Sequence, residues 1–149
     1  MINPKLKWHA PQRLRAYPYA PNLENIPKLP GVYIFYRKFG QTFQVFYVGK
    51  AKKLRSRLKS QSNNLKLMDS IKSAAKGEKM LAYAEVVLKP GQKVDSAIRA
   101  SEKLLIRHFV EEGHELFNIQ GVKLGVQTLT NERPVALKKI IPIRTQIEA

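Results

Sequence analysis

The chain has no cysteine, which excludes disulfide scaffolds, thiolate-ligated metal centres and thiol catalysis. Its three histidines, His9, His108 and His114, are too dispersed for a His-based zinc site. No apolar run approaches the roughly 18 residues that a membrane-spanning helix requires. The N-terminal stretch MINPKLKWHAPQRLR is basic but has no apolar segment behind it, so it does not read as a secretory signal. A cytoplasmic, reducing environment is the expected location. Acidic residues are also scarce, with 11 Asp plus Glu against 27 Lys plus Arg and a formal net charge of +16. So large an excess of positive charge repels itself, and the partner it implies is a polyanion, nucleic acid first and an anionic membrane surface second. The chain's 149 residues suit one domain, and 44% hydrophobic with 26% charged residues is globular rather than disordered composition.

Six of the nine prolines fall in the first thirty residues, at positions 4, 11, 18, 21, 27 and 30. Such punctuation excludes a long helix or a central strand there, so residues 1–28 read as an extended basic arm, either draped over the domain by Trp8, Tyr17 and Tyr19 or touching nucleic acid directly. Residues 29–118 read as the domain proper and 119–149 as a C-terminal extension without clean periodicity. Within the domain, GVYIFYR (31–37) and TFQVFYVG (42–49) are aromatic and β-branched runs around a Gly-containing loop, a β-hairpin. Two lysine-rich helical stretches follow, at 50–61 and 64–76. A third strand spans 80–89, and a long helix runs from about Gln92 to Glu112, stopped by Gly113. The order β-β-α-α-β-α predicts an α+β domain with helices packed on a small antiparallel or mixed sheet.

Three spacings carry chemistry. If the hairpin loop is centred on Gly40, Tyr33 faces Tyr47 across the strands, as an ordinary cross-strand pair or as a functional one. The second strand ends at Gly49 and leads into a helix bearing Lys50, Lys52, Lys53, Arg55, Arg57 and Lys59 without an acid, over a buried stripe of Ala51, Leu54 and Leu58. Lys50, Arg57 and Gln61 share one edge, and a helix N-terminus after a glycine suits a phosphate. The basic helix is a solvated face or a phosphate contact, and the net charge favours phosphate. Its apolar face is too small for membrane insertion. Third, Glu102 lies inside the apolar arc of the long helix, between Ile98 and Ile106. A carboxylate placed there needs a cation, supplied by an arginine in a structural ion pair or by a metal ion.

Gly31-Val32-Tyr33, Tyr47-Val48-Gly49, Arg57 and Glu102, in this order and spacing, resemble the GIY-YIG nuclease superfamily. LPGVYIFY and FYVGKAKKLRSRL are most similar to the nuclease domain at the N-terminus of bacterial excision-repair incision proteins. Phe117-Asn118 is similar to the family's closing asparagine motif. The resemblance spans about residues 29–118. One position departs from the pattern: four residues after the arginine the family has His or Tyr, and this chain has Gln61, which cannot take a proton.

The resemblance implies an α+β fold with a three-stranded antiparallel sheet flanked by helices, and a metal-dependent DNA endonuclease. It implies that Glu102 holds one Mg²⁺ or Mn²⁺, that Arg57 neutralises charge on the phosphoryl oxygens, and that Tyr33 and Tyr47 bracket the attacking water. Lys50 is expected beside them, contacting phosphate or holding a tyrosine pKa down. Lys52, Lys53, Arg55, Lys59, Gln61 and Asn118 are the expected nucleic-acid contacts. The alternative is a module that keeps the fold and basic face and binds nucleic acid without cutting it. One site per chain nicks one strand, so the oligomeric state, which the sequence leaves open, would decide whether both are cut.

Overall fold

Aromatic and β-branched side chains alternate along strands β3 (Gly31–Phe39) and β4 (Thr42–Ala51), and this alternation divides the protein into two cores, one on each face of its sheet. In this computed structural model, residues 3–74, 76–117 and 127–147 are described. Before the hairpin lie β1 (Lys5–Trp8) and β2 (Gln12–Leu14). After it come α1 (Leu54–Gln61), α2 (Leu65–Ser73), β5 (Glu78–Val87), α3 (Val94–Glu111), β6 (Gln127–Glu132), a 3₁₀ turn at Val135–Leu137, and β7 (Arg144–Ile147).

The sheet order is β4-β3-β5-β1-β6-β7, with β2 also paired to β5. Every pairing is antiparallel except β1 with β6. Val32, Ile34 and Tyr36 point to the face covered by α3 through Ala97, Ile98, Leu105 and Phe109. Tyr33, Phe35 and Tyr83 point to the opposite face, where Leu54 and Leu58 of α1 and Leu67, Met68 and Ile71 of α2 cover them. Truncating one of these fully buried leucines to alanine would cost about 2–5 kcal/mol.

The α+β class stands, but the sheet is larger than the three antiparallel strands expected. The triplet β4-β3-β5, with β4 at the sheet's edge, is extended on its other side by β1, β6 and β7, and β1–β6 makes the sheet mixed. The arm accordingly contributes an interior strand, which its prolines had argued against. Lys5–Trp8 sits in the proline-free gap between Pro4 and Pro11, and Leu6 and Trp8 alternate into the core. Trp8 Nε1 donates to Asn131 Oδ1 at 2.9 Å, tying this strand to β6.

The hairpin register also differs. Its loop is Gly40-Gln41 and an irregularity at Phe35/Tyr36 shifts the pairing, so Tyr33 faces Gly49 and Phe35 faces Tyr47. The basic helix starts at Leu54 rather than 50, because β4 stays paired to β3 through Ala51. Lys50 is therefore a strand residue. Nor is the N-terminus of α1 open to a phosphate. Leu54 N donates to Leu29 O at 3.0 Å and Arg55 N to Pro27 O at 3.2 Å, so carbonyls at the end of the arm and of the residue that follows it cap the helix. The second helix closes at Ser73, short of the expected 76.

Candidate active site

Tyr33, Tyr47, Gly49, Lys50, Ala51, Lys52, Arg57 and Glu102 line one cleft of about 400 Å³. Four elements build it: the paired ends of β3 and β4, the outer edge of α1, and the middle of α3. All five residues expected to be catalytic thus converge, although they span 70 positions of sequence.

Tyr33 forms the floor. Its ring is fully buried and stacks at 6.2 Å on Tyr47, edge-on to Phe35. Two of the hairpin's three glycines have steric causes. A Cβ at Gly49 would overlap Cζ and Oη of Tyr33, and one at Gly31 would overlap the carbonyl oxygen of Ala84. Arg57 Nε donates to Tyr33 Oη at 3.3 Å, and Gln61 Nε2 donates to the same oxygen at 2.6 Å and to Tyr47 Oη at 3.4 Å. Burial, reinforced by the neighbouring Tyr47, pushes the Tyr33 phenol up to about 12 against the pull of Gln61 and Arg57. The resemblance implied Lys50 either contacting phosphate or holding a tyrosine pKa down; at Tyr33 the cation that lowers the pKa is Arg57, and desolvation outweighs it.

Glu102 is 6% exposed, as its place in the apolar arc predicts. The ion pair with an arginine is absent: among the described residues its carboxylate makes no salt bridge within 4.0 Å. Burial raises its pKa, while the more distant Lys50, Lys103 and Arg57 pull it back down. Among the described residues no group of three or more His, Cys, Asp or Glu is placed to hold a metal ion. One buried carboxylate without an ion-pair partner fits a Mg²⁺-like cation, which takes its remaining ligands from phosphate and water, and not a cation needing an all-protein cage.

The expected nucleic-acid contacts separate in space. Lys53 and Lys59 are exposed and, among the described residues, carry no ion pair. Lys52 is also exposed but lies 3.4 Å from Asp95 Oδ1. Arg55 is turned inward, donating from Nε to Ile26 O at 2.7 Å and from Nη2 to Glu24 O at 3.2 Å, so it pins the arm to α1. Gln61 is buried behind the tyrosines. Asn118 lies outside the described residues. His114 is remote from the tyrosines, its Nδ1 accepting from Val45 N at 3.0 Å beside a separate cleft.

One participant escaped the sequence reading. Asn64 caps α2 by accepting from Leu67 N, and its Nδ2 donates to Gln61 Oε1 at 3.1 Å. The available signal was an asparagine immediately before a helical run, which identifies a cap but not its second bond.

Residues 29–87 match the family model of the UvrC-like GIY-YIG domain. Over that span the chain is similar to a GIY-YIG domain of that kind. No curated protein and no solved structure gave a significant match. The matched span includes both tyrosines, Lys50, Arg57 and Gln61, and ends before Glu102, which α3 delivers to the same cleft. Among the described residues no helix is long and apolar enough to cross a membrane.

Proposed function

We propose that this GIY-YIG protein is a divalent-metal-dependent endonuclease that hydrolyses DNA phosphodiester bonds. The observation that carries the reading is Glu102: a buried carboxylate that makes no ion pair among the described residues, in one cleft with Arg57 and two tyrosines. Phosphodiester hydrolysis is slow because an anion repels its nucleophile, so fixed positive charge at the phosphate is the most useful contribution a site can make. A Mg²⁺ or Mn²⁺ ion held by Glu102 would polarise a phosphoryl oxygen and stabilise the leaving oxygen. Arg57 places a guanidinium at the cleft, able to meet two phosphoryl oxygens at once. Lys50 adds a second charge at its wall, and exposed Lys53 and Lys59 extend the basic surface along the backbone of the DNA. Water attacks phosphorus as the bond to the leaving nucleotide oxygen breaks. The tyrosines shape the pocket in which that water sits.

A second reading, a GIY-YIG module that binds without cutting, is favoured by one residue, Gln61, which occupies the family's His or Tyr position and cannot exchange a proton. Nicking of supercoiled plasmid decides between them. The nuclease reading expects relaxed circles with Mg²⁺ or Mn²⁺, none with EDTA, and none from Glu102→Ala, which should still retard DNA on a gel. Gel retardation by the wild-type chain with no nicking under either metal would establish the binding module instead.

A further inference from the structure

The hydrogen bonds behind the two tyrosines form a chain whose direction is fixed at one end by a backbone amide. Leu67 N donates to Asn64 Oδ1 at 3.2 Å, and a backbone N–H cannot reverse its role. Asn64 must then turn Nδ2 the other way, and Nδ2 donates to Gln61 Oε1 at 3.1 Å. With its oxygen engaged, Gln61 presents Nε2 to the phenols, at 2.6 Å from Tyr33 Oη and 3.4 Å from Tyr47 Oη. Arg57 Nε, also a donor only, approaches Tyr33 Oη at 3.3 Å. A hydroxyl oxygen has two lone pairs, and both of Tyr33's face N–H groups. No described residue accepts a hydrogen bond from its own O–H. The ring is fully buried at the floor of the cleft, so the acceptor its proton lacks must arrive from that cleft.

We propose that Tyr33 is a fixed hydrogen-bond donor into the cleft and not the base of the reaction, and that Gln61 and Asn64 are the positioning residues that hold it in that role. The inference rests on the nuclease reading and adds to it the direction of one proton. The oxygen that meets Tyr33 belongs to the phosphate or to the attacking water, and the proton that water loses leaves by another group. Burial acts in the same sense, since a phenol titrating near 12 keeps its proton at neutral pH. An imidazole at position 61 would leave the direction open, because either ring nitrogen can carry the hydrogen. Glutamine fixed by Asn64 closes that choice. The departure at position 61 thus becomes a change in proton assignment rather than the loss of a site.

Asn64→Asp tests this with little structural change, because Asp caps a helix as well as Asn does. The new carboxylate accepts from Leu67 N but cannot donate to Gln61. The Gln61 amide should turn over, present Oε1 to Tyr33 and draw its O–H back into the protein. The expected result is a fall of about tenfold or more in kcat for plasmid nicking with DNA affinity nearly unchanged. Ser62→Asp, which adds the same charge nearby without touching the chain, should keep its kcat. Asn64→Ser, a second cap-preserving change, should also lower kcat and serves if the Asp variant folds poorly. In parallel, NMR should place the Gln61 Nε2 protons against the Tyr33 and Tyr47 rings in the wild-type chain, and lose those contacts in Asn64→Asp. Two results would overturn the proposal: a wild-type amide turned away from the rings, or an inverted amide that leaves kcat intact. The amide readout needs no cleavage, so a wild-type chain that never nicks DNA sinks the nuclease reading while the donor chain is still decided.

Discussion

The Tyr33 ring lies across the backbone of Gly49, its cross-strand partner, so closely that a Cβ at position 49 would coincide with ring atoms and the phenol oxygen. Tyr47-Val48-Gly49 is in this sense a seat for the tyrosine of Gly31-Val32-Tyr33. Gly49→Ala should therefore act through Tyr33. The ring is held by Tyr47 at 6.2 Å and Phe35 at 5.9 Å and cannot step aside freely. A loss of about 1–3 kcal/mol is expected from overpacking, measured by urea denaturation, together with loss of nicking. Tyr33→Phe in that background should recover little, because Cζ remains, whereas Tyr33→Leu should recover most of the stability. Wild-type stability in Gly49→Ala would mean that the ring does not sit where the structure places it.

The hairpin and the long helix were legible because each rests on a period that survives folding, whereas the convergence of Tyr33, Tyr47, Arg57 and Glu102 was legible only through the family resemblance. The register was not. A two-residue loop and the irregularity at Phe35/Tyr36 together move Tyr33 from Tyr47 to Gly49, and neither leaves a compositional mark. The outer strands were illegible for a different reason. β1 has four residues and β2 has three, so alternation in β1 amounts to Leu6 and Trp8, and only pairing with β5 and β6 makes it a strand. Arg55 and Lys59 are equivalent in the sequence, two cations on one basic helix. The path of the arm, which brings the carbonyls of Glu24 and Ile26 to one of them, makes the difference.

That difference can be measured. Lys59→Ala and Lys53→Ala should leave thermal stability near wild type, because both side chains are exposed and form no ion pair among the described residues. If each meets a phosphate, the salt dependence of DNA binding should flatten by about one unit of slope per lysine. Arg55→Ala should do the reverse. It removes charge-assisted bonds to two arm carbonyls, and about 2 kcal/mol of stability should go with them, while the salt slope holds. Denaturation curves and DNA titrations at several salt concentrations check both halves. A flattened slope with unchanged stability in Arg55→Ala would show that its side chain faces DNA rather than the arm.

Glu102 should cost the folded chain stability for the sake of the site, and the sign of that cost with pH is fixed. Burial raises its carboxyl pKa above the ordinary range, outweighing Lys50, Lys103 and Arg57. Between the unfolded and the folded pKa the folded state binds the additional proton. Stability therefore falls as pH rises through that window, and the cost is complete above it. In metal-free buffer at neutral pH, Glu102→Gln should consequently be more stable than wild type, by about 1 kcal/mol on the scale usual for relieving a strained functional group. The advantage should shrink as the solution is acidified into the window and the wild-type carboxyl takes up its proton. The same variant should fail to nick plasmid while still binding it. Urea denaturation of both proteins across the acidic to neutral range provides the check. A Glu102→Gln protein less stable than wild type at neutral pH would mean that the carboxylate has a cationic partner in the folded chain, and the structural ion pair would displace the metal site.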